Sequence, residues 1–119
     1  MKIIALDFET YYDKEFSLSK MTTEEYIRDE RFETIGVGVK EDGEEARWVS
    51  GTPDKIKAFL DSLGLDKHIV VAHNAMFDAA ILNWRFDIRP RGWVDTLSMA
   101  RAIHTVEVGG SLAALSRLS

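Results

Sequence analysis

The sequence contains no cysteine and no long apolar run. Without thiols the chain can form neither a disulfide nor a thiolate metal site, so any metal must be held by oxygen or nitrogen ligands. A membrane span needs about 20 consecutive apolar residues, and no segment approaches that length. The apolar start of the chain is interrupted at Asp7, too early for the apolar core of a secretory signal. We therefore expect a cytoplasmic protein that does not contact a membrane.

A positive charge excess is also missing. Fifteen Lys and Arg residues stand against 20 Asp and Glu residues, which gives a net charge of −5. This balance disfavours a non-specific nucleic-acid-binding module, because such modules depend on cationic contacts with phosphates. Divalent cations can neutralise carboxylates where they meet phosphates, so the acidity is compatible with a metal-dependent nuclease. The length of 119 residues predicts one small domain, residues 1–119.

The order of the predicted elements indicates an α/β domain with a mixed sheet of about five strands, the second antiparallel, and helices packed on it. The predicted strands are 3–9, 34–40, 45–50, 68–72 and 93–94, and the predicted helices are 22–29, 53–63, 74–84, 95–103 and one that starts at Ser111. The first strand is almost continuously apolar, which predicts a central strand buried on both faces. A right-handed crossover would place strands one and four side by side and parallel. Their carboxyl ends would share one sheet edge, where ligands bind in open α/β sheets.

Two carboxylates end the first strand. Asp7 and Glu9 are two residues apart, so their side chains leave the same face of the strand, separated by roughly 7 Å. Carboxylates aimed at one point repel each other unless a cation lies between them. Their hard oxygen ligands favour Mg²⁺ or Mn²⁺. The alternative is a strand end whose two acids simply face water.

A third carboxylate follows the fourth strand. Asn74 is a good residue to cap the next helix, and Asp78 lies four positions later near the same helix end. Phe77 is predicted to point into the core. Taken alone, Asp78 is a first-turn acid that complements the helix dipole. Because strand four is expected beside strand one, Asp78 should approach Asp7 and Glu9.

These segments resemble known sequence motifs. LDFET at 6–10 and NAMFD at 74–78 look like the first two motifs of the DEDD 3′–5′ exonucleases, whose fold is ribonuclease H-like. The segments VDTLSMAR at 94–101 and GSLAAL at 110–115 are similar to the proofreading domain of phage family A DNA polymerases. The resemblance covers the whole chain. It implies hydrolysis of single-stranded DNA 3′ ends, leaving RNA open, and a polymerase domain as partner in a longer parent protein.

The resemblance also implies individual roles. Asp7 would bridge two divalent cations, Mg²⁺ or Mn²⁺, and Glu9 would bind the one that activates the attacking water. Asp78 would hold the second cation, often through water. Thr10, through its backbone, and Asn74 would lie beside the terminal nucleotide.

The third motif of that family is missing. Glu107 is the only acid after Asp95, so residues 1–119 hold no aspartate for the fourth position of the expected carboxylate set. Either the domain is truncated before that residue, or the fourth ligand comes from elsewhere. Asp95 is predicted to cap a helix, and His104 to be a core or surface residue. We expect a truncated domain without its C-terminal helix and with weak or no activity. A catalytically dead interaction domain of the same fold and a structure-selective resolvase stay open as alternatives.

The remaining aromatic, arginine and methionine residues are predicted to be structural. Trp84, Trp93, Met76 and Met99 are expected in the core, and Arg85, Arg89 and Arg91 on a solvated rim. For Tyr11 and Tyr12, contact with a base and cover for the sheet edge are equally compatible with the sequence. A sheet face without its last helix would leave apolar surface open, so we expect self-association.

Overall fold

The computed structural model describes residues 1–98. The strands are β1 (Ile3–Thr10), β2 (Thr34–Glu41), β3 (Arg47–Ser50), β4 (Ile69–Ala72) and β5 (Gly92–Asp95), and the helices are α1 (Thr23–Arg28), α2 (Pro53–Ser62) and α3 (Ala75–Phe86), with a 3₁₀ turn at Leu65–Lys67. Within this range the strands form one sheet in the order β3-β2-β1-β4-β5. The predicted mixed five-stranded sheet is thereby confirmed. Several predictions fall on residues 99–119, outside the described residues. They are the second half of the 95–103 helix, the positions of Met99 and His104, and the helix that starts at Ser111.

Strand β1 is the centre of the sheet. It pairs antiparallel with β2 and parallel with β4, as predicted, and β4 continues parallel to β5. The prediction that β1 is buried on both faces is wrong in the described structure, because burial alternates along the strand. Ile4 and Leu6 face the core, whereas Ile3 is 56% exposed on the other face. An apolar run alone does not report whether both sides of a strand are covered.

The helices begin where the sequence offers side-chain caps. Thr22 and Glu25 form the predicted capping box of α1. Thr52 caps α2 by accepting a hydrogen bond from the Lys55 amide at 3.3 Å, and Gly64 ends that helix region in the left-handed conformation. No helix within residues 1–98 is long and apolar enough to cross a membrane.

The core lies between one face of the sheet and the helices. Ile81 and Leu82 of α3 are fully buried, and Phe86 stacks on Phe8 of β1 with ring centroids 5.9 Å apart. Phe77 is partly buried against this cluster, as predicted. A second aromatic group links α1 to the loop that follows β1, with Phe16 and Tyr26 stacked at 4.6 Å.

Three residues of α3 differ from their predictions. The sequence predicts Met76 and Trp84 in the core and Arg85 on a solvated rim. Met76 is 76% exposed, so it does not fill the core. Trp84 lies at the surface under the Arg28 guanidinium, which is 4.5 Å from the ring centroid. Arg85 donates to the Ile27 carbonyl at 2.7 Å and thereby ties α3 to α1. Helical spacing left each of these residues near the border of the apolar face, where the neighbouring helix decides the burial.

Candidate metal and nucleotide site

The candidate site lies where β1 extends beyond its parallel neighbour. The last pair between the two strands is Ala5 with Val71, and β4 ends at Ala72, whereas β1 continues to Thr10. Helix α3 starts three residues later, so its first turn lies beside the part of β1 that has no partner in β4. This is the strand-end position at which open α/β sheets bind ligands.

Asp78 reaches from α3 to β1. Its Oδ1 accepts a hydrogen bond from the Phe8 amide at 3.3 Å, and the residue is only 2% exposed. Asp7 and Glu9 flank Phe8 in the sequence, so the Asp78 carboxylate lies next to the strand segment that carries both acids. The predicted approach of Asp78 to this segment is present in the structure.

The electrostatics of Asp78 are unusual for an aspartate. Burial raises its pKa to about 7, and the negative charges of Asp7 and Asp95 add to the increase, against the opposing hydrogen bond from the Phe8 amide. A buried carboxyl group among other acids favours the protonated form unless a cation compensates its charge. Without a bound cation, the Asp78 carboxyl therefore holds its proton to a much higher pH than an ordinary aspartate does.

Asp7 and Glu9 both point away from the core and are exposed on the open face of the sheet. Residues 1–98 contain no group of three or more His, Asp or Glu residues already arranged to hold a metal ion. The fold thus brings Asp78 beside the strand that carries Asp7 and Glu9. In the described structure, however, the three carboxylates are not close enough together to bind one metal ion.

Asn74 takes the predicted N-cap position of α3 but does not use its side chain as a cap. It adopts the left-handed conformation, with φ 75° and ψ 64°, and its side chain makes no capping hydrogen bond. Asp95 at the end of β5 supplies the acceptor instead, because its Oδ1 accepts from the Asn74 amide at 3.1 Å. The exposed Asn74 side chain is left free for other contacts within the described structure.

Asp95 holds two chain segments together. In addition to Asn74, its carboxylate accepts from the Leu97 amide at 3.0 Å and from the Ser98 hydroxyl at 2.9 Å, which agrees with the predicted capping role. Partial burial opposes ionisation, but the hydrogen bonds from Ser98, Ala75 and Asn74 outweigh it and lower the pKa of Asp95 to about 2. The low pKa favours the ionised form of Asp95, and this carboxylate fixes the start of α3, one turn before Asp78.

Thr10 borders a groove at the end of β1. Its Oγ1 lies 2.8 Å from the Tyr26 hydroxyl, which also donates to the Tyr11 carbonyl. The groove has a volume of about 760 Å³. It is lined by Phe8, Glu9, Thr10, Tyr12, Asp13, Lys14, Ser17, Leu18, Ser19, Tyr26 and Phe77.

The sequence leaves contact with a base open for Tyr12, whereas it does not predict that Tyr26 and the 13–19 segment line a groove. Asp13 shapes the segment by accepting from the Phe16 amide at 2.7 Å and from the Tyr11 hydroxyl at 2.6 Å. Tyr12 is 74% exposed on the groove wall, whereas the Tyr11 hydroxyl is engaged by Asp13. The Asp at position 13 before Glu15 and Phe16 is a turn signal that could have indicated an ordered loop.

Comparison with known proteins agrees with this architecture. A family model described as 3′-5′ exonuclease, of the DNA polymerase A type, matches residues 1–118. Searches of curated proteins and of solved structures found no significant match to the chain. Since the family match spans nearly the whole chain, and the sheet carries acids at the expected strand end, the chain belongs to the 3′–5′ exonuclease domains of family A DNA polymerases.

Proposed function

We propose that this domain removes nucleotides from single-stranded DNA 3′ ends by hydrolysis assisted by two divalent cations. The observation that carries the proposal is the position of Asp78. Its buried carboxylate is bonded to the Phe8 amide, between the positions of Asp7 and Glu9 on β1. A buried acid beside two further acids is costly unless a positive charge joins them.

The donor set suits Mg²⁺ or Mn²⁺. Asp7, Glu9 and Asp78 offer hard carboxylate oxygens, and both ions prefer oxygen ligands. Within residues 1–98, Asp78 forms no salt bridge that would already balance its charge. When bound, the cations would supply Lewis-acid stabilisation of the phosphoryl group and lower the pKa of the attacking water.

The surrounding residues would hold the terminal nucleotide. The groove beside Glu9 and Thr10 opens at the end of the strand that carries the acids, and its exposed aromatic wall includes Tyr12. Asn74 stands at the start of α3 with its side chain free of capping. Thr10 and Asn74 would thus approach the substrate from the two segments that converge at Asp78. The flat ring of Tyr12 could stack on a base of any identity, as a proofreading site requires.

The activity of this chain should be weak. The family resemblance calls for a fourth aspartate, but Glu107 is the only acid after Asp95. Losing one anionic ligand weakens the binding of the cation that this ligand would share with Asp7 and Glu9. Catalysis depends on accurate positioning of that cation and of the attacking water. In a longer protein we propose that the polymerase domain delivers the 3′ end to this site.

The proposal is tested by incubating the purified chain with a 5′-labelled single-stranded oligonucleotide, as DNA and as RNA, with Mn²⁺ or with EDTA. We expect slow, Mn²⁺-dependent release of mononucleotides from the DNA. Asp7→Ala should abolish the release, whereas Asp42→Ala, which removes an exposed acid in the β2–β3 turn, should retain it.

A second candidate is a catalytically inactive domain that binds nucleic acid and metal without turnover. The missing fourth aspartate favours it for this chain. Salt-sensitive oligonucleotide binding together with divalent-ion binding, but no released nucleotide at any Mn²⁺ concentration, would favour this candidate. Internal cuts in the product ladder would instead indicate an endonuclease. No calorimetric signal for divalent ions would contradict the metal site itself.

A further inference from the structure

The open face of the sheet carries an exposed tryptophan close to the candidate site. Trp48 of β3 is 53% exposed, and its ring lies across the neighbouring strand β2. A Cβ atom added at Gly36 would be 2.4 Å from Cζ2 of Trp48, and one added at Gly38 would be 3.9 Å from Cε3. Glycine in a strand interior weakens the strand unless something approaches it closely, and here the indole ring does.

The strand register places this ring beside the acids. Asp7 pairs with Gly38, and Gly38 pairs with Trp48, so these residues form one row across three strands. Glu9 pairs with Gly36, which is the glycine under the six-membered part of the indole. Adjacent strands are about 4.8 Å apart, and paired residues face the same side of a sheet. The indole thus covers the strand immediately next to Asp7 and Glu9.

The same face of the sheet also carries a lysine side chain. Lys40 pairs with Ala5, two positions before Asp7, so it projects to the same side as the acids and the tryptophan. Lys40 is exposed, and none of the salt bridges among residues 1–98 includes it. An aromatic ring that rests on a neighbouring strand, with a lysine on the same side of the sheet, matches the pattern by which proteins hold a base and its phosphate.

Trp84 provides a contrast. Its ring is already covered by the Arg28 guanidinium at 4.5 Å. For Trp48 the described residues include no such cation, and glycines lie under the ring where side chains would tilt it. The outer face of the indole therefore has the flatness and exposure that base stacking requires.

We propose that Trp48 stacks on a nucleobase upstream of the 3′-terminal nucleotide, with Lys40 contacting the backbone phosphate beside it. The inference rests on the proposed function, because it assumes that a single strand crosses this face to reach Asp7 and Glu9. Stacking on a flat ring is insensitive to base identity, so the contact would hold any sequence in position for hydrolysis.

The test measures binding of 5′-fluorescein-labelled oligodeoxythymidylate to the full chain by anisotropy, at low salt and with Ca²⁺ to limit hydrolysis. Trp48→Leu keeps an apolar side chain over the glycines but cannot stack. It should weaken binding about tenfold. Trp48→Phe should recover most of the affinity, and Trp84→Leu, at a surface tryptophan whose ring is already covered by Arg28, should bind like the unchanged chain.

A set of oligonucleotides with one abasic position each separates stacking from a structural effect. If Trp48 stacks on one base, removing that base should weaken binding of the unchanged chain but should have no further effect on Trp48→Leu. The inference would be overturned if Trp48→Leu weakened binding by the same factor for every abasic oligonucleotide. It would also be overturned if the substitution did not weaken binding at all. If the unchanged chain releases mononucleotides in that case, the proposed function stands. If it neither binds nor hydrolyses DNA, both proposals fail.

Discussion

The raised pKa of Asp78 makes the stability of this domain depend on pH in a direction opposite to that of most aspartates. The substitution that tests this is Asp78→Asn. In the unchanged protein, the Phe8 amide donates to Oδ1 of Asp78 at 3.3 Å. Asparagine keeps an oxygen that can accept this hydrogen bond, but it has no ionisable group. The variant therefore isolates the cost of the buried charge from the loss of the hydrogen bond.

The direction in which the free energy of unfolding changes with pH follows from the number of protons that each state binds. An aspartate carboxyl in the unfolded chain has a pKa of about 3.8. In the folded protein the pKa of Asp78 is raised to about 7. Between these values the folded state binds more protons than the unfolded state, so the free energy of unfolding falls as pH rises from about 4 to about 7. Each pKa unit corresponds to about 1.4 kcal/mol, so the whole effect is at most about 4 kcal/mol.

The assay is urea unfolding in EDTA at several pH values between 4 and 8.5. At pH 4 both proteins should have similar stability, because Asp78 is protonated in the folded state. At pH 8 Asp78→Asn should be more stable by about 2–4 kcal/mol. Adding Mn²⁺ at pH 8 should narrow the difference, because a cation bound to the folded state stabilises the ionised carboxylate.

The control is Asp42→Asn, which removes an exposed acid in the β2–β3 turn. Its stability should follow that of the unchanged chain at every pH. A constant difference between Asp78→Asn and the unchanged chain across the pH range would refute the reasoning, since it would show that Asp78 does not titrate as a buried acid. Lower stability of Asp78→Asn at pH 8 would refute it as well.

Four further predictions concern the scaffold of the site. Thr52→Ala should lower the free energy of unfolding by about 1 kcal/mol in a urea titration, because it removes the cap of α2. Ile81→Ala should lower it by about 2–5 kcal/mol in the same assay, because the side chain is fully buried. Asp95→Asn should lower the melting temperature at pH 7, and the difference should disappear as pH falls toward 2, where the low-pKa carboxyl of the unchanged chain is protonated in the folded state too. Gly36→Ala should shift tryptophan fluorescence, because the added Cβ would be 2.4 Å from the Trp48 ring and must displace it.

Local sequence signals predicted much of the fold. Thr22 with Glu25 and Thr52 before Pro53 indicated two helix starts, and both caps are present in the structure. These signals work because a cap depends on residues within one turn of each other. The parallel pairing of β1 with β4 also followed from element order, since right-handed crossovers leave few alternatives.

The sequence misled where burial depends on distant segments. Met76 and Trp84 sit at helical positions compatible with the core, but Met76 is solvent-exposed and Trp84 lies at the surface under Arg28. Asn74 has the ideal residue type for a cap, yet Asp95 from β5 takes over that function from 21 positions away. The expected self-association through open apolar surface stays a prediction, with Ile3 as an exposed residue on that face.

The three acids show most clearly which properties follow from the local sequence and which depend on the tertiary structure. The sequence by itself placed Asp7 and Glu9 on one side of a strand and Asp78 in the first turn of a helix, because strand and helix periods are local properties. Only the tertiary structure decided that β4 stops short of β1, that Asp78 fills this gap against the Phe8 amide, and that its pKa rises to about 7. Burial and neighbouring charge are properties of the assembled fold, and they give Asp78 the electrostatic character that the residue order does not show.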